Sequence, residues 1–181
     1  MKFIIGIGNP GKEYENTRHN VGFLVLDVLK KLHPLPAGVR LVRPRTYVNR
    51  TGEAVLDIVR KFKAEPQSLL LVCDDVHLAL GRMRLRLAGS SGGHKGLQSV
   101  SEALGTERFP RLRIGIKAGE LPEDFARFVL EPFHQEEARR LKRCLEEAAK
   151  VCWEWAEHGP QRAMDVLSHS QTGEERSNEK L

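Results

Sequence analysis

The chain has 181 residues, of which 40% are hydrophobic and 29% are charged. This length fits a single domain, which buries enough surface to fold without a disulfide or a structural metal. No run approaches the roughly 18 apolar residues of a membrane-spanning helix, which excludes that class. The net charge of +5 is only a weak indication of a polyanionic partner.

Cysteine usage and the N-terminal stretch bear on the compartment. Three cysteines without a Cys-x-x-Cys pair do not suit a disulfide framework and favour the reduced cytosol. The first apolar stretch is too short for a signal peptide and is interrupted by Gly-Asn-Pro-Gly. We therefore expect a cytoplasmic protein.

Apolar runs and helical periodicity predict the elements of the first half of the chain. Asn16, Thr17 or Asn20 is available to cap the first helix, and Asn49 or Thr51 the second. The predicted elements are a buried strand at 2–8, a helix at 21–32, a short strand at 39–44, a helix at 51–62 and a central strand at 68–73 that ends at the acidic pair Asp74 and Asp75.

The second half continues the alternation of strands and helices. The predicted elements are a strand at 82–88, a Gly-rich loop at 89–96, a helix at 97–104, a strand at 111–117, a short helix at 123–130 and a long amphipathic helix at 135–158. The polar segment 168–181 is predicted to be disordered, which leaves residues 1–167 as one domain. The alternation predicts a layered α/β fold.

Polar residues cluster after three of the predicted strands. Ligands in α/β folds collect at the carboxyl ends of strands, so we expect His19, Asp74, Asn9 and Asn49 to converge there. Asp74 would accept from one ring N–H of His19 and leave the other nitrogen to take a proton from water. Asn9 and Asn49 would orient a substrate carbonyl. Any one of these residues alone is more often a turn or cap residue; their convergence favours a catalytic site.

Arginines alternate with apolar residues in "GRMRLRLAG" and "RLRIGIK". On a strand, the period of two places Arg82, Arg84 and Arg86 on one face. Such a face is either a solvated rim of the sheet or a surface that contacts phosphates. The pattern alone leaves both interpretations open.

Three other kinds of site are less well supported. A G-x-G-x-x-G match at the start of the chain is followed by a proline and a loop instead of a helix, and it lacks the acidic residue of a dinucleotide site. A nucleophilic Cys73 is disfavoured, because a cysteine that ends an apolar strand is by default a buried inert thiol. Suitable metal ligands without an established spacing are Cys73, Asp74, His77 and His94.

The motifs that hold these residues resemble those of bacterial-type peptidyl-tRNA hydrolases. "GIGNPGKEYENTRHNVGF" matches that family's opening signature, and "RPRTYVNRTGEAV" and "LLVCDDVHLALGRMRLRLAGSSGGHKGLQSV" resemble its next two motifs, followed by "FPRLRIGIK" and "FVLEPF". The match covers residues 1–133 and continues more loosely through the last long helix. It implies a single-domain, three-layer α/β/α fold with a twisted mixed sheet.

The resemblance also implies the reaction and its catalytic groups. The family hydrolyses the ester that joins a peptide to the terminal ribose of tRNA, and no metal or other cofactor is needed. His19 would be the general base and Asp74 its orienting acid. Asn9 would help to distinguish a blocked amino group from a free one.

Further residues match positions that the family uses to bind its substrate. Tyr14, Tyr47 and Asn49 would hold the peptide or the 3′ end of the tRNA. Arg86 and Arg113 fall where the family places basic residues against the tRNA 5′-phosphate. This turns the interpretation of the arginine-rich strands toward phosphate contact.

The sequence departs from the family pattern at several positions. Lys95 stands in place of an asparagine linked with substrate or water positioning; it can reach a phosphate or a carbonyl but does not both donate and accept as an amide does. His77 replaces a usual aspartate and Cys73 a usual histidine. The chain is also short at 33–39, so we expect a sheet one strand smaller than in typical members, or rearranged.

Two alternatives to a tRNA-directed enzyme stay open. One is a non-hydrolytic, RNA-binding relative with the same fold, against which the retained His19 and Asp74 argue. The other is a small-molecule esterase on the same scaffold. We expect a monomer that acts on peptidyl-tRNA and has no membrane partner.

Overall fold

The computed structural model describes the backbone of residues 1–32 and 34–178, with side chains as far as residue 171. In this part of the chain the strands are β1 Lys2–Gly6, β2 Val39–Val42, β3 Leu69–Ala79, β4 Met83–Arg86 and β5 Arg111–Lys117. The helices are α1 Val21–Leu32, α2 Thr51–Phe62, α3 Lys95–Leu104, α4 Phe125–Phe128, α5 Ala138–His158 and α6 Pro160–Asn178.

The described strands form one mixed sheet of five, in the order β2-β1-β3-β5-β4. All neighbours are parallel except β4, which runs antiparallel to β5 at one edge. The short connection after α1 leads directly into β2 at the other edge. The central position of β3 places its carboxyl end between those of β1 and β5.

Helices cover both faces of the sheet, as the three-layer prediction requires. Successive side chains of a strand point to opposite faces. In β3, Leu70 and Val72 pack with α1, α5 and α6, whereas Leu69, Leu71 and Cys73 pack with α2 and α3. The predicted α/β/α fold is therefore confirmed.

Several predicted elements are confirmed with their bounds, including the helices at 21–32 and 51–62 and the strand at 111–117. The prediction that the central strand ends at 73 is wrong, because β3 continues to Ala79. The acidic pair does not stop the strand, since each carboxylate finds cationic or N–H partners. Asp75 accepts from Arg113 and from the backbone N–H of His77.

The predicted helix caps are also wrong. Residue 50 occupies the N-cap position of α2, and no side chain caps it there. Thr51 instead donates its hydroxyl hydrogen to the carbonyl oxygen of Val48. Before α1, the side chain of Asn20 bonds to the backbone of Asn9. These polar groups connect loops to one another, which holds the region around the sheet end together.

The C-terminal segment extends the fold further than its composition suggests. Helix α6 runs through Asn178, so most of the segment 168–181, predicted to be disordered, is helical; residues 179–181 lie outside the described part. Just before this segment, Ala163 and Leu167 of α6 enter the core, and within it Gln171 donates to the carbonyl oxygen of Met83. No helix in the described residues is long and apolar enough to cross a bilayer.

Candidate active site

The turn before α1 lies over the end of the sheet because this helix starts in close contact with β1 and β3. Gly22 permits the contact, since a Cβ there would lie 2.3 Å from the carbonyl oxygen of Val72. His19 sits in the 3₁₀ turn directly before α1. Asp74 lies in β3 just beyond the last residue that pairs with β1. The fold thus brings His19 and Asp74 together, as the sequence predicts.

One carboxylate oxygen of Asp74 joins two histidines. Oδ1 lies 2.8 Å from Nδ1 of His19 and 2.9 Å from Nε2 of His94. Asp74 is only 2% exposed, whereas the His19 side chain keeps 14% of its surface accessible. The buried acid therefore orients an imidazole that still reaches solvent.

The hydrogen bonds of His94 determine which of its nitrogens carries the proton. Its Nδ1 accepts from the backbone N–H groups of Gly96 and Leu97, at 3.1 and 3.3 Å, and so caps α3. The proton of the neutral ring is therefore on Nε2, which donates to Asp74.

The same reasoning fixes the neutral tautomer of His19. An ionised carboxylate only accepts, so the ring nitrogen that faces Asp74, Nδ1, carries the hydrogen. The lone pair is then on Nε2, which makes no hydrogen bond to the described residues. A neutral nitrogen with an accessible lone pair, opposite an oriented N–H, is what a general base requires.

The electrostatics agree with these roles. Burial lowers the pKa of His19, but the charge of Asp74 and its hydrogen bond raise it by more, so that this pKa lies above its ordinary value; Lys95 opposes the shift. Burial raises the pKa of Asp74, and the two histidines lower it by more, which keeps the carboxyl ionised. The pKa of His19 thus lies above that of an ordinary histidine, while Asp74 stays charged.

The cluster His19, Asp74 and His94 also has the composition of a metal site, with ligand atoms within 4.8 Å of one another. This is not the set that included Cys73 and His77. A metal on Nε2 of His94 would move the ring proton to Nδ1, which faces two backbone donors. The hydrogen bonding therefore fits proton transfer better than metal coordination.

Cys73 and His77 are not part of the cluster of His19, Asp74 and His94. Cys73 packs in the apolar layer with α2 and α3, and burial raises the pKa of its thiol well above the usual range. It is a buried, protonated thiol, and neither a nucleophile nor a metal ligand. His77 is exposed, and its ring meets Phe125 edge-on with centroids 5.4 Å apart.

Asn9 is held so that its amide nitrogen stays available. Its backbone N–H donates to Oδ1 of Asn20 at 2.8 Å, and its carbonyl accepts from Nδ2 of Asn20 at 2.9 Å. Its own Oδ1 accepts from the backbone N–H of Val48 at 2.9 Å. With that oxygen occupied, Asn9 presents Nδ2, which has no partner in the described part of the chain, as a donor.

The bond to Val48 ties Asn9 to the segment that carries two more predicted residues. Tyr47 is 52% exposed and meets Tyr14 edge-to-face, with ring centroids 6.2 Å apart. Asn49 is exposed, and its side chain makes no hydrogen bond to the described residues. The structure thus gathers the two tyrosines into an aromatic pair beside the Asn9 loop.

The basic residues predicted to contact phosphates differ in how exposed their side chains are. Lys95 is exposed at the first residue of α3, close enough to His19 for its charge to lower the pKa of that histidine. Arg84 and Arg86 are exposed on β4 while the residues between and before them are buried, which confirms the period of two. Arg82 is half-buried.

Arg113, in contrast, holds the Gly-rich loop. Its Nε donates to Asp75 at 2.9 Å and its Nη1 to the carbonyl oxygen of Ser91 at 3.0 Å, with 13% of the side chain exposed. The neighbouring Arg111 is buried and donates to several backbone carbonyl oxygens of the adjoining loops, including that of Ser90. Through these hydrogen bonds, both arginines of β5 hold the Gly-rich loop that ends at His94.

The sequence groups His94 with Asp74 only as a possible metal ligand and does not predict that His94 is a second hydrogen-bond partner of Asp74. The available signal is a histidine directly before a helix, where its ring can cap the backbone and reach across the sheet end. Arg18, which is fully buried beside the site, gives no signal at all, because an arginine in a polar turn is ordinarily solvated.

Comparisons with known proteins identify the family of the chain. A profile of the family described as peptidyl-tRNA hydrolase matches residues 3–176. The chain belongs to that family. One member, the peptidyl-tRNA hydrolase of Aquifex aeolicus, is 41% identical over 185 residues, covering 93% of this chain and 96% of its own. That of Thermus thermophilus is 43% identical over 168 residues, covering 88% and 91%.

A solved structure of the family gives the same picture of the fold. The crystal structure of the peptidyl-tRNA hydrolase from Acinetobacter baumannii superimposes with a TM-score of 0.80 at 29% identity. The superposition covers 92% of this chain and 94% of that one. The α/β/α arrangement that places His19 against Asp74 is therefore the fold of the family.

Proposed function

We propose that this chain hydrolyses the ester between an N-blocked peptide and the terminal ribose of tRNA, with His19 as the general base. The observation that carries the proposal is the 2.8 Å contact between Nδ1 of His19 and Oδ1 of Asp74. Because this contact fixes the neutral tautomer, the accessible Nε2 lone pair is ready to accept a proton. Membership of the family supplies the substrate class.

The proposed reaction balances with the groups on hand. Nε2 of His19 takes a proton from water as the water oxygen attacks the ester carbonyl, and Asp74 stabilises the imidazolium that forms. The tetrahedral intermediate then collapses, the bond to the ribose oxygen breaks, and the imidazolium returns its proton to that oxygen. The products are tRNA with a free hydroxyl and a peptide with a free carboxylic acid, which releases its proton to water and becomes a carboxylate.

Asn9 would act on the substrate through its amide nitrogen. Because Oδ1 is occupied by the N–H of Val48, the group that faces the substrate is a hydrogen-bond donor. A donor suits a carbonyl oxygen, either that of the ester or that of the blocked amino group. A protonated free amino group offers no such acceptor, which would give the preference for N-blocked substrates.

Replacing Asn9 by aspartate tests this role, because the carboxylate still accepts from Val48 but loses the donor. We expect kcat/KM for N-blocked aminoacyl-tRNA to fall by about 10²-fold, the usual cost of one well-placed donor. The ratio of N-blocked to free aminoacyl-tRNA turnover should fall as well. Asn16→Asp, on an exposed residue of the same loop, is the matched control. Equal effects of the two substitutions would contradict the assignment.

Contacts with RNA would come from the exposed groups around the cluster. Arg86 is exposed on β4, and Lys95 lies beside His19, so both are suited to phosphates of the acceptor end. Tyr14, Tyr47 and Asn49 would hold the peptide or the 3′ end. Arg113 already donates through Nε to Asp75 and through Nη1 to Ser91, so its first role would be to hold the Gly-rich loop.

Arg86→Ala is expected to raise KM for the tRNA substrate with kcat unchanged. The slope of log Kd against log salt concentration should fall by about 1, since one phosphate contact is lost. Arg60→Ala removes the same charge from the exposed side of α2 and serves as the control. An unaltered salt slope in Arg86→Ala would show that Arg86 does not contact a phosphate and that β4 is a solvated rim of the sheet.

Turnover of N-blocked against free aminoacyl-tRNA tests the proposed function as a whole. Hydrolysis of the N-blocked form, with a KM that rises steeply with salt, is the expected result. RNA binding without turnover would favour a non-hydrolytic relative, and salt-independent turnover of simple esters would favour a small-molecule esterase. We further propose that the protein is a cytoplasmic monomer; the burial of all three cysteine thiols suits a reducing compartment.

A further inference from the structure

The residue that precedes the proposed base is an arginine with a fully buried side chain. The guanidinium of Arg18 lies between the rings of Phe128 and Phe133, at 4.7 and 4.9 Å from their centroids. It meets Glu137 at two points, with Nη1 to Oε1 at 2.9 Å and Nη2 to Oε2 at 2.7 Å. Nη1 also donates to the carbonyl oxygen of Ile116 at 3.1 Å.

The backbone of the same turn is bound to residues 128–137, the segment that carries the two phenylalanines and Glu137. Each of three successive residues makes a contact with it: Thr17 forms a β-bridge with Pro132, Arg18 N–H donates to Glu131 at 3.0 Å, and His19 N–H donates to Val129 at 2.8 Å. The turn 17–19 is therefore fastened to this segment by its main chain and by its one buried cation.

Glu137 is itself held in place from its own side. Its Oε2 accepts from the backbone N–H of His134 at 2.6 Å, within a capping box that leads into α5. Burial raises the pKa of Glu137, and the bonds from Arg18 and from the His134 backbone lower it by more, so the carboxyl is ionised. A charged pair at this depth fixes one geometry, because any other arrangement leaves a buried charge without its partner.

We propose that Arg18 and Glu137 are positioning residues for the reaction, holding the 17–19 turn so that the imidazole of His19 stays at hydrogen-bond distance from Asp74. Arg18 does not touch the substrate, since its side chain has no accessible surface. It acts through the next residue of the chain. The inference rests on the proposed function of His19 as the base.

Glu137→Gln tests the inference against a matched substitution on the same side of the fold. Glu154→Gln changes a carboxylate near the far end of α5 whose side chain has the same 10% exposure as that of Glu137 and pairs with His158 and Arg162. Both variants are expected to lose thermal stability. In Glu137→Gln we expect kcat to fall about tenfold or more with KM within about twofold, because small displacements of a reacting group are costly. Glu154→Gln should keep the wild-type kcat.

A second readout does not depend on activity. The imidazole of His19 is titrated by NMR in the wild type and in both variants. In Glu137→Gln the pKa of His19 should fall toward its ordinary value, because the contact with Asp74 loosens. His94 and Lys95, the other ionisable groups beside His19, are unchanged in this variant. In Glu154→Gln the pKa of His19 should not move. A wild type without turnover would remove the proposed function, but this titration would still test whether the pair positions His19.

If Glu137→Gln does not fold, the double variant Arg18→Met with Glu137→Leu replaces it, since a buried ion pair can be exchanged for apolar side chains without loss of stability. The expected result is a folded protein with the same loss of kcat and the same fall in the His19 pKa. Wild-type kcat and an unmoved His19 titration in a folded variant would overturn the proposal. The pair would then serve stability alone.

Discussion

Replacing His19 by alanine is expected to lower kcat for N-blocked aminoacyl-tRNA by about 10²–10⁴, the usual contribution of a positioned general base. The reason is that Nε2 of His19 carries the accessible lone pair of the cluster, while His94 is committed to Asp74 and to the cap of α3. Binding of tRNA should change little, because the cations proposed to contact the tRNA lie on β4 and at the start of α3.

The measurement is single-turnover hydrolysis together with a separate tRNA binding titration. His158→Ala, which removes an exposed histidine at the end of α5, is the control for a general effect of losing an imidazole. A His19→Ala enzyme with near-wild-type kcat would remove the base assignment. Loss of tRNA binding in parallel with kcat would show that His19 holds the substrate instead.

Asp74→Asn is expected to lower kcat by up to about 10⁴, comparable to the same change in a serine-protease triad. An asparagine can turn its amide nitrogen toward His19 and favour the wrong tautomer, with the hydrogen on Nε2. The variant also loses the charge that stabilises the imidazolium. Asp57→Asn, on the exposed side of α2, is the matched control.

The pH dependence gives the same substitution a second signature. Only neutral His19 is a base, so activity falls as the pH drops through the pKa of His19. Asp74 raises that pKa above its ordinary value of about 6.5, so the wild-type acid limb lies on the high side of this value. Without the carboxylate charge the pKa falls, and the acid limb of kcat moves to lower pH. An acid limb that does not move in Asp74→Asn would contradict the claim that Asp74 raises the pKa of His19.

Much of the fold follows from local pattern. Strong periodicity of apolar residues predicts three elements with the bounds that the structure shows: the helices at 21–32 and 51–62 and the strand at 111–117. The pairing of His19 with Asp74 follows as well, because carboxyl ends of adjacent parallel strands meet at one edge of a sheet. These are consequences of spacing along the chain and of the rules of sheet topology.

The missed features depend on tertiary partners that a single sequence does not display. β3 runs on past Asp74 and Asp75 because His19, His94 and Arg113 satisfy those carboxylates, and these partners come from distant parts of the chain. Arg18 is buried only because the segment 128–137 folds over it. A charged residue in a polar turn looks solvated until its partner is known.

The extension of α6 has the same origin. The composition of 168–181 is that of a solvated tail, but α6 extends to Asn178, and Gln171 of this helix donates to the carbonyl oxygen of Met83 in β4. Similarly, Arg113 has the sequence context of a phosphate ligand, but its contacts with Asp75 and Ser91 show a structural task. In both cases the local sequence suggests a solvent-exposed role, and tertiary contacts give the residues a structural one.

The hydrogen positions on the two imidazoles test the central claim most directly. Nitrogen NMR of ¹⁵N-histidine-labelled protein, recorded above the pKa of His19, distinguishes protonated from unprotonated ring nitrogens. We predict a hydrogen on Nδ1 of His19 and on Nε2 of His94, both directed at Asp74. A hydrogen on Nε2 of neutral His19 would contradict the mechanism, since no lone pair would then face the water.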